Sequence, residues 1–373
     1  MPGSAKFWIG IAVSVVFLAL FIFTVDLDRF LDALSKADYR LVVPAAGIYL
    51  VSVLFRTLRW QLLLRHLKHV GLVRLYPVVV VGYMANNLLP MRIGEVVRSY
   101  YISEREGISK TASLVTIFIE RLLDALTLLV FISVIALFIP VIGVAEGFGE
   151  QSSVPWPLLI AGITLPFVLG FAGLVLIAFA PARARRLAKT LLRPLPQRME
   201  ERADRVVDMF LGGLISLRSP RRVLGLFLLS IPIWLFEALL FLIIAFSFDL
   251  DLAFDSTAEM AAAVILVTAI SNIGASVPAA PGGIGLFELI ARETLVLLPL
   301  ASVDRADAGA YVTVVHATLL LPMIVLGQVF LWTQSISLRS LSRAGRLAPS
   351  DGTGGGNVAP LGVEPTARLE DGP

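Results

Sequence analysis

The chain has 373 residues, of which 57% are hydrophobic and only 16% charged, with a net charge of +3 and a mean hydropathy of +0.85. A soluble domain carries about 25% charged residues, so an ordinary soluble fold is excluded. The absence of cysteine also excludes disulfides, thiol catalysis and thiolate metal sites.

Apolar runs near the length needed to cross a hydrocarbon core of about 30 Å recur along the chain. The first, FWIGIAVSVVFLALFIFTV at 7–25, is longer than the apolar stretch of a signal peptide. The acidic DLDRFLDAL follows it instead of a small-residue cleavage site, so it is read as a span. Further runs cover 41–64, 72–89, 111–139, 157–180, 223–247, 259–278 and 309–334, with a shorter one at 284–300. Residues 1–343 are expected to form one membrane domain. The Gly/Pro-rich stretch 344–373 is expected to be a disordered cytoplasmic tail.

Lys and Arg in short loops stay on the cytoplasmic side. Residues 56–74 carry Arg56, Arg59, Arg65, Lys68 and Arg74 with no acid, and are placed inside. Segment 140–156, without Lys or Arg, is placed outside. Segment 181–222, with ten Arg and one Lys against four acids, is inside; 248–258, with three Asp and no base, is outside; 335–350, with three Arg, is inside. An odd number of crossings must then separate 56–74 from 140–156, yet two apolar runs lie between them. The same conflict separates 248–258 from 335–350. The runs 72–89 and 259–278 end at breaks, Pro90 and Gly94 in one and Pro278, Pro281, Gly282, Gly283 and Gly285 in the other. The pattern predicts an all-α polytopic protein with about six full transmembrane helices. Two re-entrant helical hairpins are added, 72–102 entering from the cytoplasm and 259–300 from outside, with both termini cytoplasmic. Non-helical backbone at membrane depth survives only where protein or a wet cavity surrounds it. The breaks PMRIGE and PGGIGLFE share Pro-x-x-Ile-Gly followed by Glu, which is compatible with an inverted repeat.

Ionisable groups inside apolar segments are costly and by default mark substrate pathways. Arg92, Glu95 and Ser99 share one helical face. Glu120 and Asp124 are four residues apart with Arg121 beside them, Glu237 sits mid-span, and Glu288 and Arg292 are spaced for an ion pair. Together with Asn86, Asn87 and Asn272 these would line a polar cavity between the hairpins. Arg92, Arg98 and Arg121 would hold a phosphate through charge-assisted bonds. The alternative is that Arg92–Glu120 and Glu95–Arg121 are structural pairs. His316 reads as a satisfied core histidine, and His66 and His69 as interface residues beside a basic stretch. The 181–222 stretch reads as an amphipathic segment on anionic lipid, not a nucleic-acid surface. No metal site, cofactor, nucleotide loop or catalytic motif is expected, so the chain is read as a non-enzyme.

NNLLPMRIGEVVR, SKTASLVTIFIERLLDAL and VPAAPGGIGLFE together resemble the lysylphosphatidylglycerol synthase transmembrane-region family, whose stand-alone members are described as flippase-like; the resemblance covers about 7–335. It implies a lipid-translocation role, expected at the cytoplasmic membrane; with no Walker loop in the sequence, the transport is expected to proceed without ATP hydrolysis of its own. An aminoacyl-transferase activity is not expected, since the sequence closes on the Gly/Pro-rich stretch. Membrane lipids, anionic or phosphate-bearing, are the expected partners, with a homo-oligomer or a partner synthase left open. Two other classes stay in play: a scaffold for a lipid-modifying synthase or glycosyltransferase, and a head-group-modifying enzyme.

Overall fold

The computed structural model describes residues 26–89, 93–137, 155–192, 197–276, 281–298 and 303–333, with positions 19 and 23 ahead of them. The expected span 7–25, the turn residues Pro90 and Arg92, most of 140–156 and the tail 344–373 lie outside the described residues.

All regular elements among the described residues are helical. α1 (Leu27–Lys36) begins where the Asp26 carboxylate accepts from the Arg29 N–H at 3.2 Å and ends on Lys36, which pairs with Asp32. A short 3₁₀ turn, Tyr39–Leu41, leads into α2 (Val42–Leu64). α3 (Leu72–Leu88) stops at Leu89, whose extended backbone (φ −116°, ψ 141°) is what a following proline imposes. α4 (Gly94–Glu106) ends on Gly107 in the left-handed region at φ 67°, the usual glycine stop. Ser109 then caps α5 (Lys110–Ile135). α6 (Trp156–Phe179), α7 (Pro181–Leu192), α8 (Gln197–Gly213) and a 3₁₀ turn at Leu214–Arg218 precede α9 (Pro220–Ser247), which starts on a proline at the position that needs no N–H. A 3₁₀ turn, Leu250–Ala253, precedes α10 (Thr257–Gly274), which is capped by Ser256. A third such turn, Pro281–Gly283, precedes α11 (Leu286–Val296), and α12 (Arg305–Thr333) is the longest helix, at 29 residues.

The packing is organised around α2 against α9. α3 lies on its return helix α4 and on α12; α10 lies on its return helix α11 and on α5. The core contains the wholly buried Trp60, Phe241 and Tyr311, the last donating its hydroxyl to the Phe241 carbonyl at 3.0 Å.

Two ends of the bundle are defined by contacts. At one, the Asp38 N–H donates to the Ser247 carbonyl at 2.9 Å and Arg29 reaches Asp304 at 3.3 Å, so the starts of α2 and α12 and the end of α9 meet. Arg305 reaches Glu293 at 3.2 Å, which brings the end of α11 to the same place. At the other end, Lys68 contacts Glu106 at 2.9 Å, so the α3–α4 pair finishes beside its own start. The Lys68 hydrogen bond and charge hold the Glu106 carboxyl below the usual range. The first end carries Asp26, Asp32, Asp38, Asp249, Asp251, Asp255 and Asp304; the second carries Arg65, Lys68, Arg105, Lys110, Arg218, Arg221 and Arg222.

Among the described residues, four helical stretches are long and apolar enough to cross a membrane: Tyr39–Leu64, Pro220–Ser247, Thr257–Gly274 and Arg305–Thr333. A fifth results if Val168–Phe179 and Pro181–Ala188, which meet at 101°, count as one. α10 is thus long and apolar enough to span although the break after it predicts a hairpin arm. α5 is not among the four, because Lys110, Glu120, Arg121 and Asp124 interrupt it. One expectation needs correcting. Arg56 and Arg59 do not belong to a cytoplasmic basic loop; both are buried within α2, because carboxylates on α5 and α9 neutralise them there.

Candidate functional site

The ends of both hairpins face one cavity of about 160 Å³. α3 supplies Tyr83, Asn86 and Asn87. The second hairpin supplies Asn272, Ala275, Gly282, Gly283 and Phe287. Tyr49, Arg56, Arg121, Trp234, Glu237 and His316 complete the wall with Leu319 and Leu320.

Local sequence chemistry holds the hairpin ends in place. The Asn86 side-chain oxygen accepts from the Gly94 N–H at 2.8 Å, tying the end of α3 to the start of α4. In the second, Glu288 reaches back to the Gly285 N–H at 2.7 Å, satisfying a first-turn donor of α11. The Asn87 amide donates to the Leu320 carbonyl at 3.4 Å, tying α3 to α12. Gly94 packs so closely on α3 that a Cβ there would lie 2.0 Å from the Gly82 carbonyl oxygen. The two helices can touch only because both positions lack side chains.

Behind the cavity runs a charged network. Arg56 bonds Glu237 at 2.6 Å and lies 3.7 Å from Asp124, with its guanidinium 4.6 Å over the Trp234 ring. Arg59 meets Asp124 at 2.8 Å and Glu120 at 3.9 Å, and donates to Ser230 at 2.6 Å. Trp234 donates to Asp124 at 3.2 Å. Arg98 bonds Glu120 at 2.8 Å and stacks 4.1 Å over Trp60. Arg121 is held more loosely: Glu95 is 3.8 Å away, Asp124 3.7 Å, and the Tyr83 hydroxyl accepts at 3.3 Å. Four guanidiniums thus face four carboxylates, which is how buried charges escape an uncompensated desolvation cost.

Of the residues expected at the site, Asn86, Asn87, Arg121, Glu237, Asn272, Gly282 and Gly283 share the cavity wall. Glu95 and Asp124 stand behind Arg121. Arg98 and Glu120 do not reach the wall: they are 3% and 1% exposed and locked to each other. Arg98 is paired with Glu120 and stacked on Trp60 away from the wall, and Glu120 also faces Arg59. Arg92 lies outside the described residues. Arg292 bonds Glu293 at 2.8 Å, at the far end of α11. Glu288 turns to His316, whose Nδ1 lies 2.6 Å from its carboxylate. Charge counting misses Arg56 and Arg59, although two arginines three apart within an apolar helix are themselves a site signal. Nothing in the sequence brings Tyr49, Tyr83, Trp234 and Phe287 together from four helices. Among the described residues there is no group of three or more potential metal ligands.

The profile of the lysylphosphatidylglycerol synthase TM region family matches residues 7–327. The chain is 25% identical over 332 residues to the glycosyltransferase AglD of Haloferax volcanii, covering 83% of this chain and 51% of that protein. It therefore spans only about half the length of that curated relative. A UPF0104 membrane protein of Methanothermobacter thermautotrophicus is 28% identical over 74% of this chain and 80% of its own length. The UPF0104 membrane protein PH1989 of Pyrococcus horikoshii is 22% identical over 76% of this chain and 85% of its own. A helical membrane chain, matched over all but its first six and last 46 residues, belongs to the lysylphosphatidylglycerol synthase TM region family.

Proposed function

We propose that the chain is a lipid transporter that moves a charged, phosphate-bearing lipid head group across the cytoplasmic membrane without chemical change and without ATP hydrolysis of its own. The observation that carries this reading is Arg121. It is a guanidinium on the cavity wall whose side chain is 25% exposed and whose carboxylate contacts are no shorter than 3.7 Å, while Arg56 beside it is locked to Glu237 at 2.6 Å. A loosely held arginine can exchange its partners for a phosphate, which it matches with two parallel N–H donors. Asn86, Asn87, Asn272 and Tyr83 add neutral donors and acceptors for the rest of a head group.

In this reading α3–α4 and α10–α11 are re-entrant hairpins from opposite faces, and α2–α5 and α9–α12 are two inverted repeats. The packing pattern supports it, since exchanging α2 with α9, α3 with α10, α4 with α11 and α5 with α12 maps each major contact onto another. A binding site at the interface of such repeats is the usual transporter arrangement. The Arg-rich end is then cytoplasmic and the Asp-rich end external.

A second reading has one observation in its favour, the match to half of a protein named a glycosyltransferase: the chain serves as a membrane scaffold for a partner enzyme. One experiment separates them. Protein purified into liposomes with short-chain fluorescent phospholipids is expected to move them between leaflets unchanged. Altered lipid would indicate an enzyme, and no movement in several lipid compositions would leave the scaffold.

A further inference from the structure

His316 belongs to the cavity wall but to none of the ion pairs behind it. It is 4% exposed, stacked on Phe287 with ring centres 4.3 Å apart, and both ring nitrogens face acceptors. Nδ1 is 2.6 Å from Glu288 Oε1, and Nε2 is 3.0 Å from the Gly282 carbonyl oxygen. Glu288 Oε2 accepts from the Gly285 N–H, which leaves Oε1 to His316. A neutral imidazole donates from one nitrogen only. Both contacts are satisfied together only when the His316–Glu288 pair holds one proton more than a neutral imidazole beside a carboxylate, carried as imidazolium or donated from Glu288 Oε1 to Nδ1.

The acceptor at Nε2 is the tip of the second hairpin. Gly282, Gly283 and Gly285 have φ of 63°, 76° and 88°, which side-chain-bearing residues rarely adopt, so this turn has little backbone resistance to moving. The tip also touches the first hairpin: a Cβ on Gly282 would lie 3.4 Å from the Asn87 carbonyl oxygen and 3.2 Å from Leu320. We propose that His316 is a proton-binding site that clasps the glycine turn of the second hairpin onto α12 and the end of α3, so that proton loss releases the turn and opens the cavity. When the proton leaves, Nδ1–H keeps its bond to Glu288, while the Nε2 lone pair meets the Gly282 carbonyl lone pair and the turn is repelled. The charged and titratable groups facing this point are Glu288 from α11, and Arg56, Arg121, Glu237, Tyr49 and Tyr83 across the cavity. α1 brings Arg29 and Lys36 only to the Asp304–Asp307 end of α12.

The inference rests on the transport reading for its purpose, since proton binding beside the cavity would supply the coupling ion, but it is tested without any lipid movement. The cysteine-free chain accepts a unique spin-label pair at Ile284 on the turn and Val325 on α12, both exposed to different degrees (37% and 63%). Pulsed electron–electron distances in nanodiscs are measured across roughly pH 5 to 9, the span in which imidazole charge ordinarily changes. The short-distance population should dominate at the acid end, and the short-to-long ratio should fall at least about tenfold toward the alkaline end. His316→Gln should give the long population at every pH. Glu288→Gln, lacking the countercharge, should confine closure to lower pH. Distances in the spin-labelled protein with His316 intact that do not respond to pH overturn the proposal even if His316→Gln fails to fold, as does a pH response that survives in His316→Gln. A protein that shows the response yet moves no lipid keeps the proton site and loses the transport reading.

Discussion

Two arginines twenty-three positions apart in sequence separate structure from function at the residue scale. Arg98 is sealed between Glu120 and the Trp60 ring, so Arg98→Ala leaves a buried carboxylate with only Arg59 at 3.9 Å. Removing one member of a buried pair costs about 3–5 kcal/mol, and the remaining Arg59 contact puts this site at the lower end. Arg98→Ala is therefore expected to lower the thermal midpoint in detergent clearly. Arg121→Gln should barely change that midpoint, because its ion contacts are long and partly exposed, yet should abolish most lipid movement in liposomes. Arg121→Lys should retain a fraction of it, as a point charge without the fork. If Arg121→Gln moved lipid at the full rate, a head-group contact by this arginine would be ruled out; an unchanged midpoint in Arg98→Ala would refute the structural role given to that pair.

At the scale of elements, the hairpins depend on glycines for different reasons. Gly94 and Gly82 let α4 lie directly on α3, and a methyl at 94 meets backbone, the Gly82 carbonyl oxygen 2.0 Å away, as well as the Asn86 amide. Backbone cannot yield without moving a helix. Gly274 in the second hairpin meets only the flexible end of Ile290, Cδ1 at 2.4 Å, which one side-chain rotation relieves. Gly94→Ala is thus expected to cost at least about 1–3 kcal/mol, as overpacking does, and to separate α3 from α4. Gly274→Ala should fall within about 1 kcal/mol of the parent, since the helix-propensity gain offsets the repacking. Thermal unfolding of the two variants side by side decides it, and equal midpoints would show that the close approach of α3 and α4 is not what holds the first hairpin.

For the whole molecule, the contacts at the two bundle ends carry the proposed orientation. Single cysteines at Ser256 and Asp304 belong to the Asp-rich end and those at Glu104 and Arg222 to the Arg-rich end. An impermeant thiol reagent on intact cells is expected to label the first two and spare the second two until the cells are opened. Labelling of Glu104→Cys in intact cells would make α3–α4 cross the membrane in place of returning, and would break the pairing of helices into opposed repeats.

Composition and run length alone determined that this is an all-helical membrane chain, because a bilayer rewards apolar runs whatever they pack against. Local chemistry also determined where helices stop: Pro90 after α3, Gly107 after α4, and the glycines at 282–285 act through their own backbone limits. The charge balance of the loops marked the two ends of the bundle for the same reason, since each loop's charge is a property of its own residues. Which buried charges pair was decided only by tertiary structure. Arg56 reads as a loop residue in sequence; in the fold Glu237, 181 positions away, lies 2.6 Å from it. Arg98 and Arg121, alike in sequence context, parted when one met Glu120 and the other the cavity. His316 reads as a lone core histidine in sequence; the carboxylate and the carbonyl that give it two acceptors come from positions 288 and 282, on a hairpin that folding alone brings to it. A pairwise electrostatic contact depends on distance in space, and spacing along a chain of helices records that distance only within a helix turn or two.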